Sequence, residues 1–132
     1  MIFELFASTL ALVGVDQACA EEMSRGGQQH GNSCSFAHME RVEDELNRAW
    51  KEALPKLKQR ELLWQKHEDG PGPYTLLLQE QRAWIAYRET KCERVRFSYY
   101  RGSAAPWAYN SCMVDMAIDR IHIIRSEAEV VD

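Results

Sequence analysis

The residues best able to do chemistry in this chain are four cysteines, Cys19 and Cys34 toward the front and Cys92 and Cys112 toward the back. Neither pair has the C-x-x-C spacing of a zinc knuckle or a thioredoxin-like redox centre. An even cysteine count in a short chain that opens on an apolar stretch reads instead as two disulfides in an exported protein. A Cys19–Cys34 bridge would close a short loop worth about 3 kcal/mol in the chain-entropy model, and a Cys92–Cys112 bridge slightly more. The histidines offer a weaker alternative. His30 and His38 flank Cys34, but the spacing matches no common zinc arrangement and an exported thiol prefers oxidation. His67 and His122 are isolated. Glu43, Asp44 and Glu45 are consecutive, so on a helix they point different ways and make no acid–base pair. No G-x-S-x-G, H-E-x-x-H or phosphate-binding loop is present. These residues point to a binding protein, with no enzyme chemistry, no cofactor and no metal.

The frame that must hold them is a single domain. At 132 residues the chain is long enough to bury its own core, so the disulfides support that core and do not replace it. The net charge of −4 argues against nucleic acid and hints at a basic partner. Residues 2 to 15 form a largely apolar run of signal-peptide length, too short for a transmembrane helix. No Lys or Arg precedes the run, and Glu4 interrupts it. The expected division is a leader over residues 1–18, with the cut anywhere from 14 to 20, and a domain over 19–132. Ala18-Cys19-Ala20 fits the small-x-small rule, but a cut there removes Cys19; a cut after Gly14 keeps all four cysteines. Lipid attachment at Cys19 does not fit, because no aliphatic residue stands at Asp16. Periplasmic or secreted location follows, with no stable membrane insertion once the leader is removed.

Past residue 34 the periodicity is helical. Phe36, Met39, Val42, Leu46, Ala49, Ala53 and Leu57 recur at steps of three and four, with Ser35 as the expected N-cap and Pro55 expected to kink or divide the helix. Asp69-Gly70-Pro71-Gly72-Pro73 is turn chemistry. A second helix is expected from about Tyr74 to Tyr99, with Leu77, Gln81, Trp84, Arg88, Cys92 and Val95 on one stripe. Arg101-Gly102-Ser103 then leads to a third helix opened by Pro106. No segment alternates as a strand. The expected fold is all-α: a small bundle of about three main helices plus a short N-terminal segment, braced by two disulfides. The Gly- and Gln-rich stretch from Ser24 to Gly31 sits poorly with a short helix there.

Glu43-Asp44-Glu45-Leu46-Asn47 followed by Trp50, and the run Leu77 to Cys92 (LLQEQRAWIAYRETKC), resemble the LprI-type lysozyme-inhibitor domain. Its central signature is L-x-x-A-Q-R-A-W-I-x-Y-R-D-x-x-C. Gly102-Ser103, Cys112 and Arg120 are similar to the family's closing pattern, and Cys19 and Cys34 fall where it places its first cysteines. The likeness spans roughly residues 19 to 127. Glu80 stands where the family has Ala, and Trp50 where it has Tyr.

That resemblance implies an exported protein that blocks a peptidoglycan-cleaving hydrolase by occluding its cleft, with a lysozyme-like enzyme as partner. The alternatives are an immunity-type protein against a delivered toxin, and an envelope scaffold that inhibits nothing. Trp84, Tyr87 and Arg88 are residue types that anchor interfaces. The shared stripe, however, places Trp84 and Arg88 in the core, with Arg88 held by a carboxylate or by Asn47. On this reading Leu46, Asn47, Gln81, Arg82, Trp84, Tyr87 and Arg88 mark the fold, and contact falls to exposed loops: Asp69 to Tyr74, or Arg101, Gly102, Ser103 and Trp107 beside a disulfide.

Overall fold

The computed structural model describes residues 12–100 and 102–130. The elements are α1 (Val15–Ala18), α2 (Ala20–Gln65), α3 (Pro73–Phe97) and α4 (Ala105–Ala128). The expected all-α bundle of three main helices and a short N-terminal piece is what forms, with both disulfides, Cys19–Cys34 and Cys92–Cys112, made.

Helix α2 departs from expectation at both of its breakers. It does not begin at Ser35 but at Ala20, and it passes through Ser24 to Gly31 by breaking once, at Gly27, whose φ of 74° and ψ of −163° are non-helical. Glycine tolerates that left-handed φ because it has no Cβ. The break folds the first turns back on the rest, which brings the Cys19 and Cys34 Cα atoms within 5.8 Å. Ser35 is therefore interior and buried: its hydroxyl donates to the Asn32 carbonyl at 2.8 Å and accepts from Asn110 Nδ2 at 2.9 Å. Pro55 does not divide the helix, which runs on to Gln65. Pro55 and Lys51 are both exposed, so the Lys51 carbonyl that loses its amide partner is free to take water.

The core lies mainly between α2 and α4. Val42, Leu46, Ala49, Ala53 and Leu57 on α2 meet Val114, Ala117, Ile121 and Ile124 on α4. The spacing of three and four puts each set on one face, and the three alanines let the two backbones approach closely. Each fully buried Leu or Ile contributes roughly 2 kcal/mol by transfer from water.

Helix α3 is held differently. Only Leu77, Arg88 and Cys92 along its 25 residues are buried. Ion pairs tie it to its neighbours. Both Arg88 terminal nitrogens donate to the Glu43 carboxylate, Nη2 to Oε2 at 3.1 Å. Arg120 Nε donates to Gln81 Oε1 at 2.6 Å, and its Nη1 pairs with Glu80 at 2.7 Å. Both guanidiniums also lie over the Trp84 ring, 4.7 and 5.7 Å from its centroid. A third buried charge, Glu45, accepts from Arg48 at 2.6 Å and from Arg125.

The short α1 segment belongs to this packing. Val15 is 1% exposed, Leu12 packs against the same core, and His38 Nε2 bonds the Val13 carbonyl at 2.6 Å. The remainder of the expected leader, residues 1–11, lies outside the described residues.

Candidate interaction site at the disulfide-braced end

On either side of position 101, the residues between α3 and α4 make tight backbone turns. Tyr99 N donates to Arg96 O at 3.1 Å, Tyr100 N to Phe97 O at 3.0 Å, Gly102 N to Tyr99 O at 2.8 Å, and Ala105 N to Gly102 O at 3.0 Å. Gly102 suits this path because a Cβ there would stand 3.1 Å from the Tyr99 carbonyl. Tyr100 sits in the left-handed region with φ 51°, a conformation that residues with a Cβ rarely adopt and that concentrates at functional positions. Its side chain is 93% exposed.

Two anchors stiffen the connection. The Cys92–Cys112 bridge joins the helices that flank it, with Cα atoms 5.5 Å apart. Asn32 Nδ2 donates to the Ser103 carbonyl at 2.7 Å, tying it to α2. An exposed aromatic on a doubly anchored turn loses little freedom on binding.

The candidate residues distribute unevenly around this end. Gly102 and Ser103 are exposed at the turn, whereas Trp107 is half-buried and packs against the core, its ring 3.0 Å from where a Gly31 Cβ would stand. Arg101 lies outside the described residues. Phe97 and Tyr99, 53% and 50% exposed, face solvent here together with Tyr100. Sequence periodicity had absorbed Tyr99 into a helix that ends at Phe97, and it had passed over Tyr100. The signal was there: two tyrosines directly ahead of Arg101-Gly102. Of the signature residues, Leu46 and Arg88 are buried, Gln81 and Trp84 half-buried, and Asn47, Arg82 and Tyr87 exposed. Arg88 takes Glu43 as its partner.

Beside the turn is a hollow of about 360 Å³ that Tyr99, Trp107, Ser111, Asp16 and Asp115 border. Burial pushes the Asp115 carboxyl above its ordinary range, and the neighbouring charges of Asp16 and Asp119 push it further.

The opposite end has a different character. Glu61 accepts from Thr75 N at 2.8 Å and Thr75 Oγ1 at 2.7 Å, capping α3 from another helix. The Thr75 amide holds the Glu61 carboxyl below its usual range. Leu63, Trp64, Pro71 and Leu76 border an open groove there, with Arg60, His67 and Glu127 on its rim. Among the described residues no three His, Cys, Asp or Glu side chains gather as metal ligands, and no helix is long and apolar enough to cross a membrane.

The fold is that of a small helical domain stapled by two disulfides. The chain belongs to the family described as lysozyme inhibitor LprI, whose model matches residues 19–123. No curated protein and no solved structure matches it.

Proposed function

We propose that this protein is an exported inhibitor of a peptidoglycan-cleaving hydrolase and that it acts by placing Tyr100 and its turn in the enzyme's cleft. Membership of the inhibitor family supports the target class. The observation that carries the mode of action is Tyr100 itself, 93% exposed and held in a left-handed conformation on a turn anchored by Cys92–Cys112 and Asn32. Rigid aromatic side chains supply much of the binding energy at protein interfaces. Two disulfides suit an oxidising compartment outside the cytosol.

The packing of α1 bears on where a leader would be cut. Removal through Ala18 would take Val15 out of the core, and removal through Ala20 would take Cys19 as well. A cut at or before Gly14 keeps both, and N-terminal sequencing of the exported protein tests it.

Lysis of peptidoglycan by a panel of lysozymes, titrated with the oxidised protein, tests the whole reading. Saturable, stoichiometric inhibition that Tyr100→Ala weakens is the expected result. No inhibition of any enzyme at large excess sinks it, in favour of a dedicated toxin partner or a scaffold role.

A further inference from the structure

The two disulfides stand in different surroundings. Each joins a fully buried cysteine, Cys19 or Cys92, to a half-buried one, Cys34 or Cys112. Thiol–disulfide exchange begins when a thiolate reaches one sulfur, so in each bridge the half-buried partner is the point of attack. Cys34 borders a hollow of about 610 Å³ together with Glu22, His30, Ser33 and Arg41. His38 steadies Arg41 there, with Nη2 3.3 Å from the imidazole Nδ1. Cys112 borders a smaller hollow, of about 360 Å³, together with Asp16 and Asp115. An approaching thiolate is an anion. At Cys34 it meets a guanidinium and an imidazole against one carboxylate. At Cys112 it meets two carboxylates, with no cation among the described residues of that rim. The bridges also hold different things. Cys92–Cys112 joins two long helices, whereas Cys19–Cys34 pins an arm, residues 15–26, back across the break at Gly27. A side chain at Gly27 would meet nothing within 4 Å, so the joint has room to move. Besides the bridge, the arm rests on Val15 in the core and on Met23, which lies against Gly31.

We propose that Cys19–Cys34 is a redox latch: an external dithiol opens it through Cys34 Sγ and frees the arm about Gly27, while Cys92–Cys112 stays closed. One thiolate of the dithiol attacks Cys34 Sγ, forming a mixed disulfide and expelling the Cys19 thiolate, which takes up a proton. The second thiol, deprotonated, attacks the mixed disulfide, and Cys34 leaves as a thiolate that is protonated in turn. The dithiol ends as a disulfide, having supplied both electrons. In an oxidising compartment the latch stays shut. The latch asks nothing of a hydrolase, so it stands or falls apart from the inhibitor reading.

The test treats the folded, oxidised protein with limiting dithiothreitol, alkylates the thiols that appear and locates them by peptide mass mapping. Cys19 and Cys34 should be labelled about tenfold faster than Cys92 and Cys112. Equal rates, or Cys92–Cys112 opening first, overturn the proposal. Two monothiols of opposite charge then probe the point of attack. Mercaptoacetate should form its mixed disulfide on Cys34, and should favour Cys34 over Cys112 more strongly than the cationic thiol cysteamine does. An adduct on Cys19, or the same preference from both thiols, overturns the proposal. Release of the arm is read by amide hydrogen exchange. Opening the latch should speed exchange across residues 15–26 about tenfold and leave α3 unchanged. Protection of the arm that survives opening overturns the latch.

Discussion

At one end of the bundle a single carboxylate, Glu61, closes the start of α3 through two hydrogen bonds to Thr75. At the other end the residues flanking position 101 make short backbone turns, lean on a disulfide and on Asn32, and leave Tyr100 almost wholly in solvent. At the first end Arg60 reaches the Glu127 carbonyl while its Nε stays buried without a partner, and charges mix around the groove. The second carries a left-handed tyrosine, an aspartate, Asp115, whose charge burial and the nearby Asp16 and Asp119 disfavour, and an unbonded serine hydroxyl. Folding alone rewards none of these. Left-handed non-glycine residues concentrate at functional sites, which is what ties this end to the proposed contact.

The contrast is broken most strongly by removing the staple at the second end. Replacing Cys92 and Cys112 together with alanine should lower stability by about 3 kcal/mol, read by denaturant unfolding, and should abolish inhibition at temperatures where the variant is still folded. Arg88→Ala comes next. It strands Glu43 and uncovers Trp84, for a loss of roughly 3 kcal/mol in the same assay. Arg96→Ala removes an exposed pair with Glu93 and should leave stability almost unchanged. Equal losses for the two arginines would mean that the α3 ion pairs do not hold the helix as described.

Tyr100→Ala and Trp107→Ala separate contact from packing. The first should weaken inhibition by about 2 kcal/mol, roughly thirtyfold, with the thermal midpoint unchanged. The second should lower stability by about 2 kcal/mol and touch inhibition only as far as the turn loosens. The reverse pattern would return the contact to Trp107.

Acid titration gives the smallest effects, opposite in sign at the two ends. The Glu61 pKa is lowered from its ordinary 4.5, so in that window the unfolded chain binds more protons. Its stabilisation is present above pH 4.5 and is lost as pH falls through the folded value. The Asp115 pKa is raised from its ordinary 3.8, so the native state binds the proton more tightly. Its charge destabilises the fold above the folded value, and the penalty is relieved as pH drops toward 3.8. Glu61→Gln should therefore reduce neutral-pH stability and flatten the acid limb, whereas Asp115→Asn should raise the neutral-pH midpoint. A lower midpoint in Asp115→Asn would show that this carboxylate has a cation after all.

Much of this could be read along the chain. The steps of three and four through Val42, Leu46, Ala49, Ala53 and Leu57 specify a buried helical face wherever the partner comes from. The Asp69 to Pro73 break was equally legible, since Gly and Pro act on their own residue's backbone. Ser35 and Pro55 were misread for the opposite reason. Whether a serine caps a helix or lies inside one depends on Asn110, 75 residues away, and whether a proline ends a helix depends on how much the neighbouring core holds it straight. Tyr99 and Trp107 were exchanged because periodicity states which side of a helix a residue takes, and both sit where helix gives way to turn.

The sequence by itself determined that this is an all-helical, doubly bridged domain of the LprI lysozyme-inhibitor family, because helix periodicity, breaker residues and the signature run are properties of neighbours in the chain. Only the tertiary structure decided that Arg88 pairs with Glu43, that Val15 belongs to the core, that Tyr100 and not Trp107 faces outward, and that Asp16 meets Asp115. Those facts join residues up to about a hundred positions apart, and such distances close only when the helices pack.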